Sequence, residues 1–68
     1  MNETNKSEDI NSHYLYMRPD KRSSGYRVGV AKIQPNGYVG YPIDERQYLS
    51  EKQAKNRYES LRKQIRTW

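Results

Sequence analysis

The sequence predicts an α+β fold: a three-stranded antiparallel β-meander packed on one C-terminal α-helix (β-β-β-α). Three observations lead to this prediction. Apolar and polar residues alternate between positions 14 and 43, as expected for half-buried strands. Turn-forming residues interrupt the alternation twice. From residue 50 onward the apolar residues instead recur at spacings of three and four, which is the period of a helix.

Composition divides the chain into a flexible tail at residues 1–12 and one small domain at residues 13–68. The tail is polar and has Ile10 as its single internal hydrophobe, too little to offset the entropy of ordering it. Only 32% of the 68 residues are hydrophobic and none is cysteine, so we expect a small core without disulfides. No apolar run approaches the ~18 residues that span a bilayer, and no signal pattern is seen. We therefore expect no membrane association and a cytoplasmic location.

The first predicted strand runs from Tyr14 to Arg18, with Leu15 and Met17 on one face, and ends at Pro19 because proline cannot donate to a ladder. A loop of turn formers at residues 20–25 then leads into the second strand.

The second strand is predicted at Tyr26–Ile33, where Tyr26, Val28 and Val30 share a face. The turn Gln34-Pro35-Asn36-Gly37 follows, and Asn-Gly tolerates the left-handed backbone of tight hairpins. The third strand is predicted to end at Ile43, with Pro42 suiting a sheet edge.

A helix is predicted over residues 51–66. Ser50-x-x-Gln53 forms a capping box, and Leu49 precedes it. The apolar stripe of this helix consists of Ala54, Tyr58, Leu61 and Ile65. We expect the stripe to cover the sheet face that carries Leu15, Met17, Val28, Val30 and Val39.

Charge and tyrosine content point to a polyanionic partner. The formal net charge is +5, and because the tail contributes −2, residues 13–68 carry about +7. Seven tyrosines and no phenylalanine accompany this charge. Such a composition is typical of surfaces that bind nucleic acids.

The sheet face opposite the helix is the predicted site. We expect it to bind double-stranded DNA sequence-selectively, since a sheet can enter the major groove and arginine can read guanine edges. The expected base contacts are Tyr16, Arg18, Arg27 and Tyr38. The expected phosphate contacts are Lys21, Arg22 and Lys32, which would supply affinity and its salt dependence. No carboxylate is predicted on this face.

Catalysis and metal binding are not predicted. Asp44 and Glu45 are adjacent, so their side chains do not converge on one substrate, and no nucleophile has an evident base. His13 stands alone without cysteine or clustered carboxylates, which does not suit a metal site. We expect no enzyme activity, no cofactor and no small-molecule substrate, because so short a chain cannot easily enclose a pocket.

Two alternatives remain open. The same Tyr- and Arg-rich face could serve a protein-interaction module or phage-type inhibitor, since both residue types are enriched in binding hot spots. A third reading is single-stranded RNA binding, with Tyr16 and Tyr38 stacking on bases.

Several motifs resemble a known family. Leu15-Tyr16-Met17-Arg18, Gly25-Tyr26-Arg27-Val28 and Asn36-Gly37-Tyr38 resemble the first two strands and second turn of three-stranded-sheet-plus-helix DNA-binding domains. These occur at the amino terminus of phage-type tyrosine recombinases and in plant ethylene-response factors. Residues 41–43 with Tyr48, Glu51, Ala54 and Arg62 resemble their third strand and helix. The resemblance implies DNA reading from the sheet by Tyr16, Arg18, Arg27 and Tyr38, as in a small phage or mobile-element regulator.

Overall fold

The computed structural model describes residues 5–22 and 24–68, which form four strands and one helix. The elements are β1 (Lys6–Ile10), β2 (His13–Pro19), β3 (Tyr26–Ile33), β4 (Val39–Tyr48) and α1 (Glu51–Ile65). The strands lie in the order β1-β2-β3-β4, and each pair of neighbours is antiparallel. The α+β class with an antiparallel sheet and a C-terminal helix is therefore confirmed.

The prediction of three strands is wrong, because residues 6–10 of the predicted tail form β1. A two-residue turn connects β1 to β2. Asn11 and Ser12 both have positive φ, 50° and 62°, and Ile10 lies opposite His13, as in the type I′ hairpin that matches strand twist. The rest of the predicted tail, residues 1–4, lies outside the described residues, as does Ser23 of the β2–β3 loop.

The third predicted strand is longer than expected, since β4 continues past Ile43 to Tyr48. Its first half is irregular. Val30 faces Asp44 while Ala31 faces Pro42, so Ile43 is an extra residue, and a second register shift follows toward Val39. Such bulges bend an edge strand and interrupt its ladder.

The core lies between one sheet face and α1, as predicted. Its fully buried members are Leu15, Met17, Val28, Val30, Ala54, Tyr58, Leu61 and Ile65. Val39 does not join them and is 48% exposed; it lies beyond both register shifts of β4, opposite Ile33.

The predicted helix start is confirmed. The Ser50 side chain accepts a hydrogen bond from the Gln53 backbone N–H at 3.4 Å, which satisfies one of the free donors of the first turn. The helix has fifteen residues. Within the described part of the chain, no helix is long and apolar enough to cross a membrane.

Candidate functional site

The sheet face that α1 does not cover is the open sheet face. Strand register aligns its residues in three rows across the sheet. The rows are Asp9-Tyr14-Ala31-Pro42, Ser7-Tyr16-Gly29-Glu45 and Arg18-Arg27-Gln47. The structure thus brings together three of the predicted base contacts, Tyr16, Arg18 and Arg27.

Tyr16 forms the floor of the open sheet face and is only 6% exposed. Its ring lies over Gly29, where a Cβ would sit 2.6 Å from the ring carbon Cζ, so glycine is needed for this close approach. Its hydroxyl donates to Glu45. Burial, together with this hydrogen bond, raises the pKa of the Tyr16 phenol.

The ring of Tyr16 is bordered by its neighbours along β2. The rings of Tyr14 and Tyr16 stack with centroids 5.6 Å apart, and the Arg18 guanidinium lies 4.9 Å from the Tyr16 ring centre. Residues two apart on a strand share a face, so Tyr16 sits between these two side chains. Little of its ring remains for a base to stack on.

Arg27 is held by two carboxylates. Its Nη2 lies 3.0 Å from Asp20 Oδ2, and its Nη1 lies 3.0 Å from Glu45 Oε1. Asp20, followed by Glu45, raises the pKa of Arg27, so the guanidinium stays charged but its charge is compensated. The prediction of a face without carboxylates is therefore wrong.

Asp20 also organises the β2–β3 loop. Its side chain is only 7% exposed and accepts from the Arg22 backbone N–H at 3.0 Å, the pattern of an Asx-turn. Its own N–H donates to the Gly25 carbonyl at 2.9 Å. These contacts fix the loop on which Lys21 and Arg22 are exposed.

Arg18 lies directly opposite Arg27 across β2 and β3, an arrangement that is normally destabilising. The repulsion is reduced because Arg27 forms salt bridges with Asp20 and Glu45. Arg18 instead lies over the ring of Tyr16 in a cation–π contact. Arg18, Lys21 and Arg22 border one open depression beside Asp20. We call these three residues the basic cluster; among the described residues none of them has a salt-bridge partner.

Two predicted contacts lie elsewhere. Tyr38 precedes β4 and is 73% exposed. Lys32 lies opposite His13 near the other end of β3 from the β2–β3 loop, roughly 20 Å away by the rise of a strand. The register places it on the same side of the sheet as Val28 and Val30, which is the side that α1 covers. The predicted site therefore divides into the basic cluster at one end of the sheet and these two residues at the other.

Asp20 and Glu45 are the site residues that sequence reasoning missed. Extending the alternation of the third strand would have placed Glu45 in the sheet, but on the same face as Val39, which was expected to lie under the helix. The extra residue Ile43 in the register brings Glu45 to the open sheet face. Asp20 follows a proline at the start of a loop, a position where aspartate commonly caps a turn.

In residues 5–22 and 24–68, no three His, Asp or Glu side chains come together as a possible metal site. No protein-family model, curated protein or solved structure matches this chain. The resemblance to sheet-plus-helix DNA-binding domains stays a prediction from the motifs, and the function is argued from the geometry.

Proposed function

We propose that this protein binds double-stranded DNA through the open sheet face, with the basic cluster on the phosphate backbone. The observation that supports this is the distribution of charge at the β2–β3 end of the sheet. Both nearby carboxylates, Asp20 and Glu45, are taken by Arg27. The charges of the basic cluster therefore remain available to phosphates, and binding would release counterions from the DNA.

Each side chain of the site has a distinct role in this proposal. Lys21 and Arg22 contact phosphates from the Asx-turn that Asp20 forms, which lowers the entropy lost on binding. Arg18, at the border of the face, reaches base edges in the major groove. Arg27 holds Asp20 and Glu45 in place instead of reading a base. Lys32 lies on the helix-covered side of β3 and has no role in this contact.

Duplex DNA fits this face better than a single strand does. Single-strand binders need exposed aromatic rings on which bases stack. Tyr16 is bordered by Tyr14 and Arg18 and is almost fully buried. The basic cluster at one end of this face instead suits contact with a phosphate backbone beside a groove.

A fluorescence anisotropy titration with random-sequence duplex DNA tests the proposal. Lys21→Ala/Arg22→Ala should weaken binding at least about tenfold and reduce the slope of log K against log salt by about 2. Lys52→Ala/Lys63→Ala is the matched control, since it removes two exposed charges from the helix. The control should change affinity by no more than about twofold.

Four outcomes would contradict the proposal. Absence of duplex binding at low salt would exclude it directly. If the loop double variant and the helix double variant lost equal affinity for DNA, net charge alone, and not the basic cluster, would drive association. Tighter binding of single-stranded RNA than of duplex would favour the stacking alternative. A protein partner bound through this face would instead show weak dependence on salt.

A further inference from the structure

One carboxylate of the open sheet face has no cationic partner. Asp9 lies opposite Tyr14, in the row that crosses the sheet at the end away from the β2–β3 loop, and it is exposed. Residues of one row share a face, so Asp9 projects from the open sheet face beside Tyr14. Within residues 5–22 and 24–68, every other Asp and Glu forms a salt bridge, and Asp9 forms none. Its oxygens are therefore available to a ligand of this face.

The open sheet face consequently has a basic end and an acidic end. Tyr14 and Arg18 both lie on β2, and their separation in sequence puts the rows of Asp9 and Arg18 about 14 Å apart by the rise of a strand. Lys21 and Arg22 belong to the loop beyond Arg18. A DNA ligand that covers the whole face therefore meets cations at one end and a carboxylate at the other.

This distribution of charge limits how DNA lies on the face. The major groove is about 12 Å wide between its two phosphate backbones. If the strands ran across the groove with the basic cluster on one backbone, Asp9 would come against the other backbone, and the like charges would repel. If the strands run along the groove, Asp9 lies over base edges instead. The second orientation avoids the repulsion.

We infer that Asp9 is a specificity-determining residue, which accepts a hydrogen bond from the N4 amino group of a cytosine in the major groove. This inference rests on the proposed binding of duplex DNA. An ionised carboxylate accepts hydrogen bonds and cannot donate them. Cytosine presents an amino donor in the major groove, whereas guanine presents two acceptors, and adenine places its N7 acceptor beside its amino group. At about 3.4 Å per base pair, the cytosine lies about four base pairs from the base that Arg18 contacts.

Selection of bound sequences from a randomised duplex library, followed by sequencing, tests this inference with the full chain. The wild type should favour cytosine by about fivefold or more at one position, with a guanine preference about four base pairs away. Asp9→Ala should abolish the cytosine preference and leave the guanine preference in place. Asp9→Asn should move the cytosine preference towards adenine, since an asparagine amide pairs with adenine N6 and N7.

Glu59→Ala is the matched control, because it removes one exposed carboxylate from α1, outside the open sheet face. It changes the net charge of the protein by the same amount as Asp9→Ala does. Both base preferences should therefore be unchanged in Glu59→Ala. A difference between the two variants then reports the position of Asp9 on the open sheet face and not the charge alone.

The outcomes separate this inference from the proposed function. If the wild type binds no duplex at low salt, the proposed function fails and the inference fails with it. If the wild type binds duplex but Asp9→Ala selects the same sequences as the wild type, the inference alone is overturned. It is also overturned if Asp9→Ala and Glu59→Ala strengthen binding to all sequences alike, because Asp9 would then act only through its charge. Loss of the cytosine preference alone, in Asp9→Ala alone, supports it.

Discussion

The side-chain amide of Asn11 donates a hydrogen bond to the backbone carbonyl of Ile65 at 3.1 Å, which joins the β1–β2 turn to the end of α1. The same amide donates to the carbonyl of Trp68. The last carbonyls of a helix have no donors within the helix. The Ile65 carbonyl accepts from the Trp68 backbone N–H at 3.1 Å, and Asn11 adds a second donor from a distant part of the chain. Beside it, the rings of His13 and Trp68 pack edge to face at 5.1 Å.

Replacing Asn11 should therefore destabilise the fold in two ways. Asn11→Ala removes the amide and also places a less tolerant residue at a φ of 50°. We expect a loss of about 1–2 kcal/mol in the free energy of unfolding, measured by urea denaturation. Asn11→Gly keeps the backbone conformation accessible and should lose about 1 kcal/mol or less. If both variants matched the wild type, the amide would contribute no stability.

Glu8 gives β1 a second attachment to the helix. Its Oε1 accepts from the Tyr58 hydroxyl at 3.0 Å and lies 3.0 Å from Arg62 Nε. Glu8→Ala should lower the free energy of unfolding by about 1–2 kcal/mol, because the buried Tyr58 hydroxyl loses its acceptor. Asp9→Ala, which removes an exposed carboxylate from the same strand, should stay within about 0.5 kcal/mol of wild type. A flexible tail would make the two variants indistinguishable.

These contacts explain why the core and helix could be predicted while β1 could not. Apolar residues at helical spacing identify the stripe from Ala54 to Ile65, because burial of that stripe is what forms the helix. β1 has the sequence Lys-Ser-Glu-Asp-Ile, which lacks any such pattern. It is held by ladder hydrogen bonds to β2 and by polar contacts of Glu8 with residues fifty or more positions away. Contacts at that separation leave no local signal.

Only part of the open sheet face could be predicted, because the rest of it depends on contacts between residues that are distant in sequence. Alternation along β2 and β3 is enough to place Tyr16, Arg18 and Arg27 on one face. Glu45 lies in a run of four polar residues, 44–47, which looks like a loop. It becomes part of β4 because its neighbours complement the surrounding structure: Asp44 pairs with Arg57 at 2.6 Å on the helix side, while Glu45 pairs with Arg27.

Arg27 and Arg18 should respond differently to substitution although they face each other. Arg27→Ala releases Asp20 and Glu45 and should lower the urea midpoint while also weakening DNA binding through a loosened loop. Arg18→Ala should change stability by less than about 1 kcal/mol, since it loses one exposed cation–π contact. It should nevertheless weaken DNA binding by about 1–3 kcal/mol and relax sequence preference. Urea denaturation and anisotropy titration of both variants measure the contrast. Equal changes in stability would contradict the assignment of Arg27 as the positioning residue.

Alkaline pH should destabilise the protein through two tyrosines. Burial of the Tyr58 phenol raises its pKa above the ordinary value near 10, and the hydrogen bond that it donates to Glu8 raises the pKa further. The pKa of Tyr16 is also raised, by burial and by the hydrogen bond to Glu45. The folded state therefore holds both protons more tightly than the unfolded chain does. Their stabilising contribution is fully present below pH 10 and is lost as pH rises from there through the folded-state pKa values.

Urea unfolding at neutral pH and at a series of values above pH 10 measures this loss. Tyr16→Phe and Tyr58→Phe serve as controls, because a phenylalanine has no proton to lose. Each should be less stable than wild type at neutral pH, by about 1 kcal/mol for the lost hydrogen bond, and should lose stability less steeply in alkali. The three proteins differ only in these phenols, so the difference in slope isolates the contribution of Tyr16 and Tyr58. Parallel pH profiles for wild type and both variants would show that neither hydroxyl is held protonated by the fold.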